Sequence, residues 1–298
     1  MNIQTPQSFG QLLDKIFQLM RGNFGVLLIL MLLFLGPSLV LGVFLQQPNT
    51  PMPEWSSLGD PAYWEQWAME VQQGQFDQTN LSDGVLSLMT LGLSAIGYIL
   101  ALAAVIYLVD ANRKEQTPEV AAIVKRSFKK FFPMLGSFLC LYLLLFGGTM
   151  VAFLVLGFVV AILAISTGSV AVIMIILLLV ALPGFIIMCY FGIRLNFAPA
   201  ATAMADVCPG ISHSWKLTRK NVLRCLGVFL VVSLITGVLG GVLQMLLGYL
   251  GVAGAILYIP FGLIFSAVSF VAIAVLFFDL EVRNNAEGLR DMVDSLGD

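Results

Sequence analysis

Two kinds of hydrophobic pattern alternate along this chain, short amphipathic stripes and long unbroken apolar runs. In residues 8–20, Phe9, Leu12, Leu13, Ile16, Phe17 and Met20 recur at helical spacing and form one stripe. Ser8 is placed to cap that helix, because its hydroxyl can accept from an unpaired first-turn N–H. Gly22-Asn23 punctuates the path into an apolar run at about 24–45. Thr117-Pro118 then opens a second amphipathic helix, with Val120, Ile123, Val124, Phe128 and Phe131 on one stripe and Pro133 as its end. A third copy, the basic segment Ile211–Asn221, also runs into an apolar stretch.

Placing Phe17, Phe128 and Trp215 in register brings Leu13, Val124 and Ile211 together. Ser127 then falls where the first helix has Ile16, and Asn23 coincides with Asn221, while Met134 breaks the match. Three units of surface helix plus helical pair follow, over 8–110, 117–196 and 206–283. Repeats of this kind would pack about a pseudo-threefold axis along the membrane normal.

The long runs are membrane length. A hydrocarbon core of roughly 30 Å takes about 20 apolar residues in a helix. Besides 24–45, such runs cover about 84–109, 134–165, 170–193, 226–247 and 255–278. The run from 134 is ~48 Å long as a helix at 1.5 Å per residue, so it must tilt, protrude or break near Gly147-Gly148. Pro37, Pro183 and Pro260 predict kinks or interruptions. The tail 279–298 is polar and predicts frayed or briefly helical structure.

Composition agrees with this pattern. Hydrophobic residues make up 59% of the 298 and charged residues only 11%, against roughly 25% charged in a soluble domain. The expected fold is therefore an all-α polytopic integral membrane protein with six transmembrane helices forming a single membrane domain. With six spans, all 15 Lys and Arg lie on one side, together with both termini. Positive charge near membrane ends is retained inside, so that side is expected to be the cytoplasm and the membrane the cell membrane. No cleavable leader is expected either, since the first apolar run is long and lacks a small-residue cleavage pattern.

The loop 46–83 holds six acids, no Lys or Arg, and Trp55, Trp64 and Trp67. Asp60-Pro61 predicts a helix start there, and the indoles favour a short helix at the outer interface.

Catalytic chemistry is hard to find. None of the predicted spans carries an acidic or basic side chain, which disfavours proton-coupled transport and pumping. Their polar groups are mostly Ser and Thr (Ser87, Thr90, Ser94, Thr149, Ser233, Thr236, Ser266, Ser269), best explained by bonding to their own helix carbonyls, plus Gln244. Gly237, Gly240, Gly241 and Gly248 predict close helix packing. His213, the single histidine, has no Cys or carboxylate pattern beside it and is expected to face solvent or headgroups. Cys140, Cys189, Cys208 and Cys225 lack metal-ligand spacing. No phosphate loop or serine elbow is present. The expectation is a non-enzyme without cofactor or metal and without a nucleic-acid partner.

Three segments resemble the membrane domain family that accompanies bacterial glycerophosphodiester phosphodiesterases. They are the opening Ser-Phe-Gly-Gln-Leu-Leu-Asp-Lys-Ile-Phe-Gln-Leu-Met-Arg-Gly-Asn-Phe-Gly of residues 8–25, the central Pro199–Asp206 followed by Ser214-Trp215-Lys-Leu-Thr218, and the closing Phe278-Asp-Leu-Glu-Val-Arg283 followed by Glu287-Gly-Leu. Asp206 stands where that family usually has Glu, and Ile211 where a small residue is common. The resemblance implies a membrane domain without the phosphodiesterase, whose barrel needs about 250 residues that no soluble segment of this chain supplies. It singles out Asp206, Ser214, Trp215, Thr218, Asn221, Asp279 and Arg283 as motif or interfacial positions, structural before functional.

The expected role is a non-enzymatic component of a membrane complex or of envelope and lipid homeostasis. Its expected partners are membrane lipid and a protein partner or second copy. The alternative is a transporter or exporter of a hydrophobic or amphiphilic small molecule, motivated by the proline-interrupted spans.

Overall fold

The computed structural model describes residues 7–45, 81–167, 170–205, 209–219 and 221–296. Asp60-Pro61 and the expected interfacial Trp helix lie outside these residues, as does Asp206. Every element in the described residues is helical. In chain order they are α1 (Phe9–Gly22), α2 (Phe24–Phe34), α3 (Gly36–Leu45), α4 (Leu81–Arg113), α5 (Val120–Lys129), α6 (Phe131–Thr167), α7 (Val170–Leu195), α8 (Ala198–Ala205), α9 (Ile211–Thr218), α10 (Val222–Gly248) and α11 (Val252–Leu296). Five helices are long and apolar enough to cross a membrane, or six if α1 and α2, which meet at 81°, are counted as one bent span.

α1 begins as its sequence requires. The Ser8 hydroxyl accepts from the Gln11 amide at 3.4 Å, and the Gln11 side chain accepts from the Ser8 amide at 2.8 Å, a reciprocal capping box. The buried stripe is rotated from the expected one. Leu12, Ile16, Leu19 and Met20 are buried, whereas Phe9 and Phe17 are exposed. Burying an aliphatic side chain of this size contributes about 1.5–3 kcal/mol, so four of them seat α1 firmly against the bundle.

Several expected boundaries shift. α5 starts at Val120, two residues after Pro118, with Glu119 at its cap and no side-chain capping bond. Its break is Lys130, so Pro133 sits in the first turn of α6 and does not end α5. A first-turn proline loses no helical hydrogen bond, because that N–H has no partner there. α6 passes through Gly147-Gly148 without interruption. α7 and α11 likewise continue through Pro183 and Pro260. The first apolar run does break, at Leu35, leaving Pro37 in the first turn of α3. The polar tail continues α11 to Leu296.

The core lies in one half of the bundle. From Ile99 to Asp110 every residue of α4 is buried, and so is every residue of α11 from Phe270 to Leu280. A helix buried on all faces is central, and α4 and α11 pack on each other here. α8 is the unforeseen element. Its residues Ala198–Ala203 are all buried, and the Tyr107 hydroxyl donates to the Ala203 carbonyl at 3.2 Å. Gly97 marks a close approach of α4 to the end of α2, since a Cβ there would overlap the Phe34 carbonyl.

The opposite half is loosely packed. α4 is mostly exposed from Val85 to Ile96, and beyond Leu141 no described side chain of α6 is buried. In α10, buried positions end at Val232 apart from Gly240.

Candidate functional site

Two features stand out, a polar knot at the packed end and a cleft where the helices part.

The knot centres on Asp279, which is 0% exposed. Its Oδ1 accepts from the Gln7 backbone amide at 2.9 Å. Its Oδ2 accepts from Arg283 Nε at 2.9 Å and lies 3.5 Å from the Arg224 guanidinium. Both arginines also donate to the Gln7 carbonyl, Arg283 at 2.6 Å. Three distant segments are joined this way: the lead into α1, the first turn of α10, and the polar end of α11. Burial lowers the Lys15 ammonium below the ordinary lysine value, partly offset by the Asp279 carboxylate.

The central motif forms a second cluster. The Ser214 hydroxyl donates to the Arg194 carbonyl, and the Thr218 hydroxyl donates to the Ser214 carbonyl at 2.9 Å. The Arg194 guanidinium lies over the Trp215 ring at 4.2 Å and the Tyr190 ring at 4.7 Å. Trp215 thus stacks on a cation at the helix surface. Asn221 makes no side-chain cap bond and marks the bend into α10 at φ −124° and ψ 20°, beside Asn23 at φ −124° and ψ 24°. Trp215, Phe17 and Phe128 are all exposed, while Ser214, Ile16 and Ser127, one position earlier in that register, are all fully buried.

The motif residues therefore divide into Asp279 with Arg283, and Ser214 with Trp215 and Thr218. Arg224, which completes the first group, had a sequence signal only as the last basic residue before an apolar run. His213 differs from expectation: it is half-buried, and its Nε2 is covered and has no hydrogen-bond partner.

The cleft has a volume of about 1070 Å³ and lies among α3, α4, α6, α10 and α11. Its walls are mainly apolar, with Leu91, Leu139, Phe146 and Phe265 among them. None of its lining residues is Asp, Glu, Lys, Arg or His. Hydroxyls supply its polarity. Ser38, Ser94, Ser233, Thr236, Ser266 and Ser269 each donate to a carbonyl of the preceding helical turn, at 2.8 to 3.1 Å. Their donors are thereby used, and what they present to the cleft is acceptor lone pairs. Tyr98, Tyr142 and Tyr258 also line it. Tyr98 is wedged edge-on against Phe138 and Phe270. These tyrosines escaped the sequence reading because aromatic residues in apolar runs resemble ordinary span residues.

The glycines of α10 do not act alike. Gly240 packs against Tyr258 and Phe265, Gly237 lines the cleft, and Gly241 and Gly248 face open space. Gln244, the one amide in that span, is exposed and is not a cleft residue. Among the described residues no group of His, Cys, Asp or Glu is arranged to hold a metal ion.

No family model, curated protein or solved structure matches this chain.

Proposed function

We propose that this chain is a six-span protein of the cell membrane that takes an uncharged, lipid-like amphiphile into the cleft and performs no covalent chemistry on it. In this reading α2 and α3 together make the first span, α1, α5 and α9 lie on the cytoplasmic surface, and both termini are cytoplasmic. The bends at Asn23 and Asn221, which coincide in the register, support a repeat of surface helix plus helical pair, whereas the bend at Lys130 falls four residues earlier than that register places it. The observation that carries the functional reading is the cleft of about 1070 Å³, apolar, hydroxyl-bearing and without an Asp, Glu, Lys, Arg or His in its lining. Its volume suits acyl or prenyl chains, and pockets for such ligands are lined chiefly by apolar side chains with few polar groups. A charged group would face a steep desolvation cost there without a partner.

This shifts weight from a purely structural complex component towards an amphiphile-handling one, whether carrier or exporter. Resemblance to the membrane domains that accompany glycerophosphodiester phosphodiesterases supports the same lipid setting. The test is mass spectrometry of lipids retained by the protein after mild detergent extraction, compared with Gly237→Trp. Gly237 has no neighbour to clash with a new Cβ, so the indole should enter the cleft and expel the bound species. Equal lipid retention by both proteins, with the variant folded, overturns the reading.

A second reading, membership of a membrane complex, rests on α6. Leu143, Leu154 and Phe158 are each at least 70% exposed, leaving a long apolar face that a second copy or a partner helix would cover. Crosslinking from Leu154→Cys in native membranes tests it, and recovery of uncrosslinked monomer alone removes it.

A further inference from the structure

Asp110 repeats the setting of Asp279 with two partners missing. Each acid is buried near the polar end of a long helix, and each has a cation four residues on: Lys114 Nζ lies 2.8 Å from Asp110 Oδ2, as Arg283 Nε lies 2.9 Å from Asp279 Oδ2. Around Asp279 the remaining oxygen is satisfied by the amide of Gln7, the residue before the cap of α1. In the register of the proposed repeat, Gln7 corresponds to Pro118, the residue before the cap of α5. Proline has no N–H to give.

Arg224, nine residues beyond Trp215, corresponds to Ser137 and Val26. Arg224 and Ser137 each donate to the carbonyl of the residue preceding a surface-helix cap, Gln7 and Pro209 respectively, the latter at 2.7 Å. Val26 has nothing to donate. At the Asp110 junction both the amide and the side-chain donor are therefore lost, and Asp110 Oδ1 has no hydrogen-bond partner although the residue is only 2% exposed. An unsatisfied buried carboxylate oxygen is costly.

A pocket of about 200 Å³ occupies this junction, walled by Asp110, Gln116, Pro118, Glu119, Arg126 and Tyr107 among others. Arg126 lies over the Tyr107 ring at 4.4 Å, and has no ion-pair partner among the described residues. Asp110, whose covered Oδ1 lacks a donor, and the exposed Arg126, whose guanidinium lacks an anion, thus line one small cavity. Oδ1 is screened from solvent, but aspartate χ2 is a soft torsion and can turn the oxygen towards an entering donor.

We propose that the Asp110 pocket binds an aminophosphate group, with the ammonium donating to Asp110 Oδ1 and the phosphate facing the Arg126 guanidinium. The group replaces the donors that Gln7 and Arg224 supply at Asp279. Phosphate suits a planar guanidinium, and the ammonium carries N–H donors that a quaternary amine lacks. The same chemistry is present in free phosphoethanolamine and in the headgroup of phosphatidylethanolamine.

Full-length protein in detergent is titrated calorimetrically with O-phosphoethanolamine and, separately, with phosphocholine. In parallel, protein in nanodiscs of phosphatidylethanolamine or of phosphatidylcholine is analysed by native mass spectrometry for retained lipid. Preference for the primary ammonium by about tenfold is expected, the scale of one charge-assisted hydrogen bond. Preference in the titration assigns a soluble ligand; preference in nanodiscs alone assigns the lipid headgroup. Either preference must fall about tenfold in Asp110→Asn and in Arg126→Gln. Pro118→Ala, which restores an N–H beside Asp110, guards against misfolding of the first variant: it should raise thermal stability while weakening binding.

Equal binding of the two headgroup chemistries, no binding of either, or preference unchanged in Asp110→Asn and Pro118→Ala overturns the proposal. The register borrows the proposed repeat, but the pocket lies apart from the cleft. Gly237→Trp should leave aminophosphate binding intact, so failure of one reading is distinguishable from failure of the other.

Discussion

The two halves of α4 are equally helical and comparably apolar, yet they live in different surroundings. From Ile99 to Asp110 the helix is buried on every side, while from Val85 to Ile96 most of its described residues are exposed. α11 divides similarly, exposed or half-buried for most of its first turns and fully buried from Phe270 to Leu280. Hydropathy alone cannot separate these halves, because a lipid-facing leucine and a core leucine look the same in sequence. What separates them is the company at the polar end. α1, α5, α8 and α9 fill the gaps between the long helices there, and the Asp279 knot ties the lead of α1 in place. At the other end no such elements intervene among the described residues, and the cleft opens.

The contrast can be broken from the packed side. Asp279→Ala should have the largest effect, leaving the Arg224 and Arg283 guanidiniums and the Gln7 amide without their shared acceptor. Removing one member of a buried pair costs about 3–5 kcal/mol, to be read as a fall in the unfolding midpoint in detergent. Proteolytic release of the N-terminal segment should accompany it.

Gly97→Ala should come next. Its Cβ would meet the Phe34 carbonyl, and an overpacked contact costs about 1–3 kcal/mol. Because α4 would have to move from the end of α2, the loss should appear in thermal stability and in weaker lipid retention together.

Trp215→Ala should be milder. It removes the stack on Arg194, an interaction of about 0.5–2 kcal/mol. The Ser214 bond to the Arg194 carbonyl stays in place, so quantitative blotting of membranes should show reduced protein level with cleft-dependent lipid retention per molecule unchanged.

Gly241→Leu should change least, within about 0.5 kcal/mol, because nothing lies near a Cβ at that position. A large loss there would mean that the open half is closed by a contact with another chain, and would move the complex reading ahead of the cleft.

The motif positions show how far sequence reasoning reaches. Ser8 as a cap was legible because capping depends on residues three apart. Thr90, Ser94, Thr149, Ser233, Thr236, Ser266 and Ser269 bond to their own helix carbonyls as read, since bonds to the preceding turn are local. Arg224 and Gln7 were not legible as partners of Asp279, being 55 and 272 residues away from it. The Ala-rich segment around Thr202 gave no amphipathic stripe, because a short helix buried on all sides has none. The direction of the α1 stripe was also ambiguous: Phe9 and Phe17 belong to the apolar arc, but only packing against α11 selects Leu12 and Ile16 as its centre.

By itself, then, the sequence determined the class of structure: helices of membrane length, and short amphipathic helices with basic residues before apolar runs. These depend on hydrophobicity, period and charge, all of which act over a few turns of helix. Only the tertiary structure decided which apolar faces meet, that Asp279 is doubly paired while Asp110 keeps an unpartnered oxygen, and that a hydroxyl-lined cleft separates the loosely packed halves of the helices. Those outcomes arise from side chains brought together across long separations, where shape and the supply of donors and acceptors decide what is filled and what stays open.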